Sequence, residues 1–72
     1  MTREEAIQEI ANILETDVEE VKEENILTEY DAWDSIAVLS VISLVSDNKG
    51  LFLHASDISK LNKVSDLVNL LV

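Results

Sequence analysis

Apolar residues return along the first part of the chain in a helical rhythm. Ile7, Ile10, Ala11 and Leu14 stand at i, i+3, i+4 and i+7 among Glu, Gln and Asn. That spacing gathers them on one face and predicts an amphipathic helix over residues 2–15. Thr2 and Glu5 have capping-box spacing, and Glu4 and Glu5 suit the positive end of a helix. Thr16 and Glu19 repeat that spacing, so Asp17 to Val21 reads as a short helical turn with Val18 and Val21 pointing inward. The pattern then lapses. Over residues 22–34, Ile26, Leu27, Tyr30 and Trp33 are scattered among polar residues. This reads as a long ordered loop pinned by those side chains. Connections of that length are unusual in a small domain and are often functional.

Periodicity resumes at Ser35. Val38, Val41, Ile42 and Val45 predict the buried stripe of a second helix over residues 35–47, with Ser40, Ser43, Ser46 and Asp47 on the opposite face. The many β-branched residues lower its helix propensity and raise a strand as the rival. Serines recurring every third position decide for the helix. Asn48 to Gly50 ends it, with Gly50 suited to the left-handed C-terminal position. Leu51, Phe52 and Leu53 are too few for a lasting sheet. Ser56 or Asp57 is expected to open a one-turn helix containing Ile58 and Leu61. Val64, Leu67, Val68 and Leu71 predict a last helix at about 64–71. The fold class is therefore all-α, a single domain over 1–72 with three main helices, one or two short ones and a long first loop.

Composition narrows the chemistry. The chain has 72 residues, one glycine, no proline and no cysteine. A chain this short buries only about 60% of the surface its unfolded form exposes, so its stability is expected to be modest. No disulfide or thiolate metal site is possible. MTREEAIQEI lacks the basic region and apolar run of a signal peptide, and the run Ile36 to Val45 is too short to span a membrane. A soluble, cytoplasmic monomer is the expectation, with no membrane partner.

The net charge of −10 is uneven. Residues 1–34 hold twelve acids against Arg3 and Lys22, giving −10; residues 35–72 hold Asp47, Asp57 and Asp66 against Lys49, Lys60 and Lys63, giving zero. Such a field repels nucleic acid and attracts basic protein surfaces, although much of the acidity also simply keeps a small domain in solution. His54 is the only histidine, with nothing to place it beside a serine nucleophile. HExxH, glycine-rich phosphate loops and a complete calcium loop are missing; DNKG at 47–50 is better read as a helix end. The neighbours Glu19 and Glu20, or Glu23 and Glu24, read as a solvated acidic face ahead of a loose cation site. No residue set offers acid, base and nucleophile together, so a non-catalytic role is expected, with no metal.

One constellation remains, WDSI at 33–36. With its position, the helix pattern and the acidity around it, the chain resembles the acyl carrier protein family, the phosphopantetheine-bearing carriers. In that family an Asp-Ser-apolar segment opens the second helix of a four-helix bundle; here it is Asp34, Ser35 and Ile36. GLFL at 50–53 and DISKLNKVSDLVNLL at 57–71 fall where the family has its glycine, short third helix and fourth helix. The resemblance implies a small four-helix bundle of the acyl-carrier type and attachment of 4'-phosphopantetheine, taken from coenzyme A by a phosphopantetheinyl transferase, to Ser35. The other implied partners are acyl- or aminoacyl-loading ligases and acyl-transfer enzymes. The implied cargo is an acyl thioester of a specialised pathway. An aminoacyl (D-alanyl or peptidyl) carrier, or an unmodified interaction module of the same shape, are the alternatives.

The physical chemistry of the segment is compatible. Asp34 is the natural N-cap, which leaves Ser35 free beside unpaired backbone N–H groups and the positive helix end. Ser35 as a plain cap is the rival. Trp33 is either a loop anchor or part of the partner surface. Ile36 and Leu39 are either exposed contacts for partner enzymes or core residues, and Ser40 joins them on the helix face turned to partners. The chain departs from many fatty-acid carriers in having Ala37, Ser40 and Ser46 where acids are frequent, Ala32 in place of a glycine, Lys49 in place of an aromatic, and Lys63 where a Thr cap is usual. A partner that grips this helix through Arg and Lys would lose up to about 1 kcal/mol per missing surface pair. Asn62 is expected to cap the last helix, because lysine cannot accept a hydrogen bond.

Overall fold

The structure is a computed structural model and describes all 72 residues, Met1–Val72. It is an all-helical bundle. Four helices follow in order, α1 (Arg3–Ile13), α2 (Ser35–Lys49), α3 (Ala55–Ser59) and α4 (Val64–Leu71). Single turns of 3-10 helix at Val18–Glu20 and Leu27–Glu29 punctuate the first connection.

Each helix begins as local chemistry dictates. At α1 the capping box forms in both directions: Glu5 N–H donates to Thr2 Oγ1 at 3.1 Å, and Thr2 N–H donates to Glu5 Oε1 at 2.9 Å. The bond from the Thr2 N–H favours the ionised carboxylate and, with the Thr2 hydroxyl, holds the Glu5 carboxyl below its usual range. At its other end α1 passes through Leu14 into Glu15, whose φ is 54°. Thr16 N–H returns to Ala11 O at 3.1 Å and Glu15 N–H to Asn12 O at 3.3 Å, a Schellman closure with a glutamate where glycine is usual. Gly50 closes α2 at φ 68°, as expected of it.

The core is wholly apolar, with 14 buried residues and no buried polar side chain. Val64, Leu67, Val68 and Leu71 of α4 are its centre, each fully buried, as the i, i+3, i+4, i+7 pattern predicts. Ile10, Leu27, Val41, Val45 and Ile58 close around them. α2 packs on α3 and α4, α1 packs on α4, and α1 meets α2 only lightly.

Several expectations need correction. Val21 is buried but Val18 is exposed: the 3-10 turn ends at Glu20, and Val21 has already left it with extended backbone, so the two valines do not share a helical face. Thr16 makes no cap there. Of the four loop anchors, Leu27 is fully buried and Tyr30 and Trp33 pack at the core edge, whereas the Ile26 side chain is exposed. Ile26 is held by its backbone instead, in an antiparallel bridge with Lys63. α2 continues to Lys49; its most buried positions are Ala37, Val41 and Val45, with Val38 and Ile42 half-buried. α3 starts at Ala55 and excludes Leu61; Asp57 lies inside it and accepts from His54 N–H at 3.0 Å. Asn62 does not cap α4. The Asp66 carboxylate reaches back and accepts from the N–H groups of Lys63 and Asn62, both at 3.0 Å.

The first connection is stitched to the last. Leu27 N–H donates to Asn62 O at 2.8 Å, Val64 N–H to Asn25 O at 3.0 Å and Ser65 N–H to Glu23 O at 3.0 Å. Arg3 adds a side-chain clamp from α1, donating from Nε and Nη2 to Glu23 at 3.0 and 2.6 Å. That pair lowers the Glu23 carboxyl and raises the Arg3 guanidinium. It is exposed, so its main effect is geometric.

Candidate functional site

The segment leading to Ser35 is fixed before the helix begins. Tyr30 is anchored by its hydroxyl, which donates to Glu20 O at 2.6 Å and accepts from Asn25 Nδ2 at 2.8 Å. Trp33 N–H donates to Tyr30 O at 3.0 Å, and Asp34 N–H to Ala32 O at 2.9 Å. These two tight turns bring Asp34 to an extended backbone (φ −134°, ψ −169°) at the head of α2.

From there Asp34 caps the helix. Its Oδ1 accepts from the N–H groups of Ile36 and Ala37, each at 3.0 Å, and its carbonyl accepts from Val38 N–H at 3.0 Å. Two of the free N–H groups of the first turn are thereby satisfied. Ser35 follows as the first helical residue, exposed, and its hydroxyl has no share in the cap. The first turn of α2 contains no acidic side chain.

Ser35 opens onto a groove of about 450 Å³ between the start of α2 and α3. Trp33, Val38 and Leu39 line one side, and Ala55 and Ser59 of α3 the other. Trp33 is half-buried and packs against the core, so its role as a loop anchor is consistent with its also forming a groove wall. Ile36 is 72% exposed and Leu39 61% exposed, which removes the core alternative for both. Ile36 and Ser40 turn the other way from the Ser35 groove, toward α1; Leu39 stands on the crest and lines both sides. The structure thus brings Trp33, Asp34, Ser35 and Leu39 together at one groove and sets Ile36 and Ser40 on the adjoining face.

Ala55 and Ser59 were invisible to sequence reasoning as groove residues, since nothing in a five-residue helix announces which neighbour it packs on. His54 is exposed and does not line the groove. No group of three or more His, Asp or Glu side chains converges as a metal site, and no helix is long and apolar enough to cross a membrane.

Fold and site together define a small helical protein that presents a serine hydroxyl at the head of a helix, beside a partly apolar groove. No protein-family model matches the chain, and neither a curated protein nor a solved structure does.

Proposed function

We propose that the chain is a carrier protein on which Ser35 holds a 4'-phosphopantetheine arm. The observation that supports this most directly is the division of labour at the head of α2. Asp34 takes the cap with two N–H bonds, and the Ser35 hydroxyl is left exposed at the positive end of a 15-residue helix. A helix N-terminus favours a phosphate ester by its dipole and its unpaired N–H groups. The residues present fit the group. Ser35 supplies the oxygen, the first turn adds no acidic side chain against a phosphodiester, and the groove walls of Trp33, Val38 and Leu39 offer an apolar bed next to it.

Attachment needs only a free hydroxyl from this chain. A separate transferase takes the proton from Ser35 Oγ, the oxygen bonds to the phosphorus of the pantetheine phosphate in coenzyme A, and the pyrophosphate bond breaks to release adenosine 3',5'-bisphosphate. When bound, the arm supplies a terminal thiol for thioester formation, which a chain without cysteine lacks. Asp34 acts here by holding the helix head, and so the backbone of Ser35, in place.

An acyl group of a specialised pathway is the proposed cargo, since Ala37, Ser40 and Ser46 leave α2 without most of the acids found in fatty-acid carriers. The test is incubation with coenzyme A and several broad-specificity phosphopantetheinyl transferases, read by intact mass. One phosphopantetheine mass is expected on the native chain and none on Ser35→Ala. No addition with any transferase would overturn the proposal in favour of an unmodified interaction module. Loading by acyl- against aminoacyl-adenylating enzymes then separates the two cargo classes.

A further inference from the structure

We infer that Tyr30 is a positioning residue for modification at Ser35, its hydroxyl fastening the approach to the α2 head onto the contact between the first connection and the start of α4. Burial does not hold that approach. Leu27 and Ala37 are buried, but no side chain between them is, and Asp31, Asp34, Ser35 and Ile36 are exposed. Packing alone would leave residues 28–36 free to shift along the edge of the core, because a stretch with few buried apolar contacts opens easily. The Tyr30 ring packs at that edge, and a phenylalanine ring would fill the same place. What tyrosine adds is a hydroxyl with one proton to donate and lone pairs to accept with. Both capacities are used: it donates to Glu20 O at 2.6 Å and accepts from Asn25 Nδ2 at 2.8 Å.

Both partners are fixed from elsewhere in the fold. Glu20 ends the first 3-10 turn, directly before the buried Val21. Asn25 lies where the first connection is stitched to α4: its carbonyl accepts from Val64 N–H at 3.0 Å, and its side chain also donates to Glu20 O at 3.4 Å. From Tyr30 the bonds run on without a break to the helix head. Tyr30 O accepts from Trp33 N–H, Ala32 O accepts from Asp34 N–H, and the Asp34 carboxylate accepts from the N–H groups of Ile36 and Ala37. Ser35 is enclosed by this last link. Among residues 30–36, Tyr30 alone bonds through its side chain to an earlier part of the chain. The functional consequence rests on the carrier reading. There the fastening holds the Ser35 hydroxyl where a transferase meets it, and a displacement of about 1 Å in a reacting group can slow a reaction about 100-fold.

The test is Tyr30→Phe, which keeps the ring and deletes both hydroxyl bonds, with two readouts on the full chain. NMR hydrogen exchange follows the amides of Trp33, Ile36 and Ala37 with no transferase present, each taken relative to Val68 in α4, which reports global unfolding. Intact mass over time follows transfer of the arm from coenzyme A. Relative exchange at the three amides is expected to quicken about fivefold or more, and kcat/KM for transfer to fall about tenfold or more. Asn25→Ala should act likewise, and the double variant should exceed either single one by less than about twofold, since both act through one bond. Ile7→Val trims the core edge in α1 and should move neither readout. Unchanged exchange in Tyr30→Phe, quickened exchange with native kcat/KM, effects that multiply in the double variant, or equal slowing by Ile7→Val would each overturn the inference. A native chain that takes no arm would overturn the carrier reading and the role in modification with it, and exchange at the three amides would still decide whether Tyr30 fastens the helix head.

Discussion

Asp34 and Ser35 are both residues that cap helices, and only one of them can do so here. Asp34 is extended and outside the helix, so its carboxylate swings forward onto the N–H groups of Ile36 and Ala37. Ser35 already has helical backbone, is exposed, and its hydroxyl takes no part in the cap. Replacing Asp34 by alanine leaves two N–H groups unsatisfied and is expected to cost about 1 kcal/mol, with most of it recovered in Asp34→Asn. Urea unfolding of the two variants measures this. A loss well under about 0.5 kcal/mol would mean that the cap contributes little. This much was legible in the sequence, because capping acts over two or three residues. The cap of α4 was not. Asn62 is used through its carbonyl, to Leu27, and Asp66 supplies the carboxylate from inside the helix. That choice depends on where the first loop passes, which no local pattern encodes.

At the scale of elements, helices with one clean apolar stripe were readable and the rest were not. α4 matched its predicted bounds because its four core residues are all fully buried against one neighbourhood. α2 was placed correctly, but its burial was not, since a helix apolar on several faces does not declare which face the core will take. Ile36 and Leu39 on one side, and Ala37 on another, could be told apart only once α1 and α3 were in place. Nor does a five-residue helix such as α3 announce its neighbour, so the far wall of the Ser35 groove was missed. The end of α1 provides a prediction at this scale. A left-handed non-glycine residue costs about 1–2 kcal/mol, and glycine returns part of that through its freer unfolded chain. Glu15→Gly should therefore stabilise the protein by about 0.5–1 kcal/mol, seen as a raised urea midpoint at unchanged slope. Glu15→Ala should bring no such gain, since alanine keeps the strain.

Across the whole molecule the governing feature is the seam where residues 23–27 meet residues 62–65. Asp66 sits on it. The N–H groups of Lys63 and then Asn62 hold its carboxyl below the usual aspartate range. A carboxyl lowered on folding adds stability above its unfolded pKa, about 3.9, and that stability is lost as pH falls through the lower folded value. The stability gap between the native chain and Asp66→Asn should thus be constant near neutrality and shrink as pH falls below about 4. Unfolding titrations at a series of pH values check this. Parallel curves down to the acid transition would show that Asp66 is not linked to folding in this way. Glu5 and Glu23, lowered by their own hydrogen bonds, leave a residual slope of the same sign in both proteins.

The seam also sets an order in time. A chain emerging from the ribosome makes residues 22–34 well before residues 62–65, and until the latter arrive the Leu27 N–H and the carbonyls of Asn25 and Glu23 lack the backbone partners they have in the fold. The helix head at Asp34 is local and forms early, but the loop that delivers it, and the α3 wall opposite Ser35, wait for the later part of the sequence. An enzyme that recognises the shape around Ser35, and not merely its sequence, would therefore act on chains that have been made through the seam at residues 62–65 and pass over shorter nascent ones.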